Sequence, residues 1–116
     1  MKRGDIYWAN LNPRSGSEQK GMRPVIIISH DGFNMTTGWR SIIIIPITTS
    51  KKQASRGPTV VHLPKETCGL SDDSIALCHQ VTTLDKEKLT QFVGSLSIDL
   101  LKQVETALKA AVDLNE

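Results

Sequence analysis

Pro13-Arg14-Ser15-Gly16-Ser17-Glu18-Gln19-Lys20-Gly21-Met22-Arg23-Pro24 separates two segments of β character, residues 5–11 before it and residues 25–29 after it. Pro13, Gly16, Gly21 and Pro24 set its turns, because glycine tolerates positive φ and proline fixes its own. Between them stand Arg14, Ser15, Ser17, Glu18, Gln19, Lys20 and Arg23, with little apolar surface. Asp5-Ile6-Tyr7-Trp8-Ala9-Asn10-Leu11 alternates roughly and reads as a half-buried strand. Val25-Ile26-Ile27-Ile28 is a β-branched run, a strand buried on both faces. A loop of twelve residues is longer than a small domain needs for a connection, which points to function. The plain alternative is a solvated hairpin loop. Arg23 precedes a proline, so its backbone is held extended at the root of a strand that could aim it.

Outward from this unit, residues 31–38 are irregular and suggest a short helix packing Phe33. Residues 41–50 form the second core strand. Pro46 forbids one ladder bond there, which places that end at an edge or bulge, and Thr48, Thr49 and Ser50 leave the sheet with free hydroxyls. Residues 51–58 make a polar, basic loop, residues 59–63 a strand, and residues 64–73 a turn region. Residues 74–81 read as a strand with Ile75, Leu77 and His79 on one side and Ala76, Cys78 and Gln80 on the other. Residues 82–96 fit a strand pair or a turn around Phe92-Val93-Gly94. Residues 97–114 give a helix, with Ser97 as N-cap, Asp99 at its positive end, and a stripe of Leu101, Val104, Leu108 and Ala111 flanked by Leu100 and Val112. The expected architecture is one domain over residues 1–116, mainly β with a C-terminal helix, its strands forming a small, strongly bent β barrel.

The chain has 116 residues and 39% hydrophobic content, which suits one core and is too polar for a membrane protein. No apolar run approaches the roughly 20 residues of a membrane span. Met1-Lys2-Arg3-Gly4-Asp5 opens without an apolar signal core, so a cytoplasmic location is expected. Cys68 and Cys78 fit free thiols in a reducing compartment, with a disulfide left open. A zinc site from Cys68, Cys78, His62 and His79 lacks the usual ligand spacing, and no metal or cofactor is expected. Residues 1–60 hold nine Lys or Arg against three acids, a net of +6, whereas residues 61–116 hold five against nine, a net of −4. The half with the special loop is the basic half, which suits a polyanion or an acidic partner.

No nucleotide-binding glycine loop, GxSxG or HExxH occurs, and the acids do not cluster as a two-metal nuclease requires. What remains is Arg, Lys, Thr, Ser and Gln on loops leaving core strands, a set that suits phosphate because arginine offers a planar fork of permanently charged donors. RNA carries its own nucleophile in the 2′-OH. A protein that orients it and stabilises the crowded phosphorane can therefore cut RNA without metal, leaving a cyclic phosphate, whereas DNA lacks that route.

Arg3-Gly4-Asp5-Ile6, the loop Pro13-(x2)-Gly16-Ser17-Glu18-Gln19-(x3)-Arg23-Pro24, Phe33-Asn34, Pro46-Ile47-Thr48, Gln80-Val81 and Thr83-Leu84-Asp85-Lys86 occur in order along nearly the whole chain. Together they resemble the MazF/PemK (Kid) toxins of bacterial type II toxin–antitoxin systems. The resemblance implies an SH3-like barrel of the CcdB/PemK type with a C-terminal helix, working as a homodimer. It implies metal-independent, sequence-specific cleavage of single-stranded RNA, usually mRNA, that arrests growth until an antitoxin binds. That antitoxin would block the RNA groove with a flexible acidic tail and bind operator DNA with its other end, so DNA would be met only indirectly. By resemblance, the catalytic residues fall on Arg23 and Thr48. Ser17, Glu18 and Gln19 would contact RNA or brace Arg23, Lys51, Lys52 and Arg56 would bind backbone phosphates, and Gln80 would read a base edge. His79 departs from the family, which often carries an acid there, and Leu77 stands where some relatives have Arg. His79 is open between acid–base catalysis, base contact and a merely polar role. Trp8 is expected in the core or a dimer contact, Trp39 is open, and His30 and His62 read as polar surface. The competing readings are a non-enzymatic CcdB-like gyrase inhibitor on the same fold and an inert SH3-like binding module.

Overall fold

The two β-branched runs lie side by side at the centre of one antiparallel sheet. The computed structural model describes residues 1–13, 15–50, 52 and 57–114. Its strands are β1 (Asp5–Asn10), β2 (Met22–Ile27), β3 (Ser41–Thr48), β4 (Val60–Leu63), β5 (Ser74–Leu77), β6 (Thr82–Asp85) and β7 (Leu89–Ser95), and its helices are α1 (Asp31–Asn34) and α2 (Ile98–Ala111). The strand order is β4-β5-β3-β2-β1-β7, with β6 also on β3. Ile6 faces Ile26 and Asn10 faces Met22 between β1 and β2, so the special loop is the end of a hairpin. Val25, Ile26 and Ile27 face Pro46, Ile45 and Ile44.

The strand periodicity of two sorts these side chains onto two cores. Ile26 and Ile28 join Ile6, Ile45 and Ile47 on the face that packs against Val104 and Ala107 of α2. Val25 and Ile27 join Ala9, Leu11, Ile42, Ile44 and Leu84 on the other. Burying each such side chain is worth about 1.5–3 kcal/mol, which is why the pair of runs anchors the sheet. Ser97 caps α2 by accepting the Leu100 N–H at 3.2 Å. Arg3 ties three elements together: its Nε–H donates to the Ile28 carbonyl at 3.0 Å, its guanidinium meets Glu105 of α2 at 2.5 Å, and its backbone N–H donates to Asp31 Oδ1 at 2.6 Å. The opening motif is thus a structural tie.

Several expectations need correction. The sheet does not close into a barrel: among the described residues, no pairing joins β4 to β7. Pro46 is not at an edge. It is buried in a central strand, at the point where the neighbour of β3 changes from β6 (Ser41 to Ile44) to β5 (Ile47 and Thr48), and a missing N–H is tolerated there. The strand from Ser74 ends at Leu77, and Cys78–Gln80 turn as a short 3-10 helix, so His79 and Gln80 do not alternate across a sheet. Residues 82–96 form two strands, with their turn at Lys86–Lys88 rather than at Phe92. Helix α1 buries Asn34 and leaves Phe33 exposed, stacked on Trp39 at 4.7 Å. On α2 Val104 and Ala107 are buried and Leu100, Leu101 and Leu108 pack against the same core as expected, while Val112, just past the helix, is exposed.

Candidate active site

The β2–β3 register places the two central site residues. The ladder ends at Val25 and Pro46, and Arg23 and Thr48 each lie two residues beyond that last pair. Both line one cavity of about 300 Å³, together with Trp8, Met22, Pro24, Thr49, Asp72 and Ser74. Arg23 lies within β2, opposite Ala9, and its Nε–H donates to the Lys20 carbonyl at 3.1 Å. That bond occupies the Nε edge of the guanidinium. Thr48 ends β3, is 4% exposed, and its hydroxyl oxygen accepts the Ser50 N–H at 3.1 Å. The hydroxyl proton is then directed elsewhere as a donor. A planar fork of charged donors and a hydroxyl are groups that suit a phosphate.

The loop above this pair is held from across the chain. The Gln80 amide oxygen accepts the Gln19 N–H at 2.9 Å, and the Gln80 Nε2 donates to the Ser17 carbonyl at 3.2 Å. Gln80, expected to read a base, thus spends its amide on the loop. The Gln19 amide oxygen is buried and accepts no hydrogen bond from the described residues. Ser17 and Glu18 are exposed, and the Glu18 N–H donates to the Ser15 carbonyl at 3.2 Å. His79 is exposed, with Nδ1 3.3 Å from the Thr59 hydroxyl, and lies outside the walls of the Arg23 cavity. Lys52 is exposed; Lys51 and Arg56 lie outside the described residues.

Trp8 is 39% exposed and lines the cavity, so it is not core. It shares the parity of Ile6, and the core on that face ends before it, a limit that alternation alone does not reveal. Met22, Asp72 and Ser74 were not anticipated as site residues either. The Asp72 turn is held by two glycines that interlock. A Cβ on Gly69 would come 2.1 Å from the Val93 carbonyl oxygen, and one on Gly94 would come 2.1 Å from the Cys68 carbonyl oxygen.

Among the described residues, no three His, Cys, Asp or Glu side chains gather as a metal site. Both cysteines are free, and burial pushes the Cys78 thiol up to about 11. His30 caps α1, its Nδ1 accepting the Gly32 N–H at 2.8 Å.

Residues 2–112 match the family model described as PemK-like, MazF-like toxin of type II toxin–antitoxin system. The chain belongs to that toxin family. Over 114 residues it is 35% identical to endoribonuclease EndoA of Bacillus subtilis, covering 98% of this chain and 96% of that protein. MazF of Deinococcus radiodurans superposes with a TM-score of 0.80 at 25% identity, covering 97% of this toxin and 96% of MazF. A MazE–MazF structure from the same organism gives a TM-score of 0.72 at 26% identity, covering 99% and 97%. The mainly antiparallel sheet with a C-terminal helix is the fold this toxin shares with them. No described helix is long and apolar enough to cross a membrane.

Proposed function

We propose that this toxin is a sequence-specific endoribonuclease that cuts single-stranded RNA, principally mRNA, without a metal ion. The observation that carries the reading is Arg23 and Thr48 on one face of the sheet, at neighbouring ends of β2 and β3, a charged fork and a hydroxyl that suit one phosphate. In the reaction the substrate's 2′-oxygen attacks the adjacent phosphorus, the bond to the 5′-oxygen breaks, and the proton lost by the 2′-OH is balanced by one gained by the leaving oxygen. The products are a 2′,3′-cyclic phosphate and a 5′-OH end. Arg23 pairs with the non-bridging oxygens as charge concentrates on them, and Thr48 donates to the same phosphate. The loop of Ser17, Glu18 and Gln19 covers the strand, and Lys51, Lys52 and Arg56 draw in its backbone. His79, outside the cavity, contacts the RNA as it leaves the cut site.

The toxin works in the cytoplasm as a homodimer. Its partner is an antitoxin whose acidic tail competes with RNA for the basic half of the chain, and DNA enters only through that antitoxin. The kinship with EndoA and the MazE–MazF assembly support the nuclease and antitoxin parts of this reading.

The test is incubation of the purified protein with a long single-stranded RNA in EDTA, with the cut ends mapped. Discrete cuts with cyclic phosphate and 5′-OH ends are expected. Intact RNA after incubation with a folded protein overturns the proposal and shifts weight to gyrase inhibition on the same fold.

A further inference from the structure

Strand pairing carries the face of Arg23 and Thr48 on to one further side chain. Thr48 of β3 faces Ile75 of β5, and Ile75 faces His62 of β4. Partners in an antiparallel ladder project to the same side, so Thr48, Ile75 and His62 form one row across three strands. Arg23, opposite Ala9 and two residues from Val25, shares that side. The other side of β4 and β5 belongs to Val61, Leu63 and Ala76, which pack with Val104 of α2. His62 is exposed and stands two strand spacings, about 9.5 Å, from Thr48. It lines a cavity of about 330 Å³ whose walls include Thr49, Pro64, Asp73 and Ile75. Thr49, next in the chain to Thr48, also lines the cavity that Arg23 and Thr48 reach.

We infer that the His62 cavity seats the base of a nucleotide neighbouring the scissile phosphate, with the imidazole as its stacking face and Ile75 as its floor. The inference rests on the endoribonuclease reading and adds the path of the strand, which crosses β3, β5 and β4 along the row. Four features choose the occupant. A cavity of this size sits at the lower end of small-ligand pockets, so it takes one flat ring system rather than a peptide segment. Its lining is apolar at Ile75 and Pro64 and contains no lysine or arginine, which suits a ring and not a phosphate. Asp73 would repel a phosphate or an acidic antitoxin tail, whereas a neutral base meets no like charge there. Unpaired bases of RNA stack on histidine as they do on the larger aromatic rings.

The row sets register. A base held at His62 delivers the nearby phosphate to Thr48 and Arg23, and a base that is not held leaves that phosphate free to shift. His62 is then a positioning residue: it acts on the reacting atoms only through the bound strand.

The experiment uses full-length wild type, His62→Ala, His62→Gln and His62→Phe. Each is given short single-cut RNAs in which every position flanking the cut is made abasic in turn. At one position, loss of the base should lower the wild-type kcat/KM by about tenfold or more. His62→Ala and His62→Gln should lose the same factor on the intact RNA and nothing further on the RNA abasic at that position, because the two changes remove one contact. His62→Phe keeps a flat ring and should cut the intact RNA within a few-fold of wild type. A merely structural role would lower cutting of every RNA alike. Thermal melts check folding, and if His62→Ala does not fold, His62→Gln carries the same comparison. Losses that multiply at every abasic position overturn the seat, and so does cutting of the intact RNA by His62→Gln at the wild-type rate. A wild type that cuts none of the RNAs, intact or abasic, overturns the endoribonuclease reading, and the seat with it.

Discussion

The Gln80 side chain holds the main chain of Gln19 by a 2.9 Å hydrogen bond across 61 residues of sequence. The same amide donates to the Ser17 carbonyl, and one residue beyond Gln19 the Lys20 carbonyl accepts from the Arg23 guanidinium. The 3-10 turn after β5 therefore steadies the loop that steadies Arg23.

Gln80 is on this account a positioning residue. Gln80→Ala should lower kcat by about 10- to 100-fold, since small misplacements of a catalytic group carry costs of that order. The set of cut sequences should stay the same. Gln80→Glu keeps the acceptor for the Gln19 N–H, loses the donor to Ser17, and should fall between. Mapping cut ends and measuring kcat and KM together decides the matter. A changed motif with kcat intact would make Gln80 a base-reading residue instead.

Thr48 is buried, with its hydroxyl oxygen already accepting from Ser50. Thr48→Ser preserves both donor and acceptor and should stay within about tenfold of wild type. Thr48→Val keeps the volume, removes the donor and leaves the Ser50 N–H unpartnered. It should lose about 100- to 1000-fold in kcat, the scale seen when one donor to a transition-state oxyanion is removed. Single-turnover cleavage of one defined RNA measures this.

Asp31 gives stability a pH dependence. Its carboxyl is held below the ordinary aspartate range, first by the Arg3 backbone N–H and then by the Asn34 side-chain amide. A depressed folded pKa contributes stability that is fully present above the unfolded value of about 3.9 and is lost as pH falls through the folded one. Wild type should therefore melt higher than Asp31→Asn by a similar margin at pH 6 and pH 8. The margin should shrink below about pH 4. Melting curves at pH 8, 6, 4 and 2.5 check it.

The two thiols should react at very different rates. Cys78 is fully buried, its thiol donates toward the Val104 carbonyl at 3.8 Å, and its pKa is raised to about 11 by burial. Cys68 is partly exposed. A thiol reagent at pH 8 should add one equivalent quickly to the native protein and a second only after unfolding, since the thiolate is the reactive form. Intact-mass measurement over time reads this directly.

Sequence alone was enough for the centre of the sheet. The runs Val25–Ile28 and Ile42–Ile45 are apolar at every position, which reads as core strand, and all of these side chains but that of Ile43, which is 40% exposed, are buried. The place of Arg23 in β2 was also legible, because the proline after it holds its backbone extended. Pro46 was misplaced because its lost ladder bond falls where β3 changes neighbours, a fact of long-range pairing. The bonds from Gln80 to the β1–β2 loop were hidden for a related reason: a strand period extended through residues that in fact turn. Trp8 illustrates the limit of alternation, which assigns a face but not where the core on that face stops.

The proposed chemistry turns on Arg23, on the strand next to that of Thr48, stabilising charge on the scissile phosphate. The most direct measurement is single-turnover cleavage of one single-cut RNA in EDTA by wild type, Arg23→Ala and Arg23→Lys, with RNA binding measured alongside. Arg23→Ala should remain folded, bind RNA within about tenfold, and cut at least about 1000-fold more slowly. Arg23→Lys should recover little, because a point charge does not replace a fork of donors. Cutting by a folded Arg23→Ala within a few-fold of the wild-type rate would contradict the account and place the catalytic centre elsewhere.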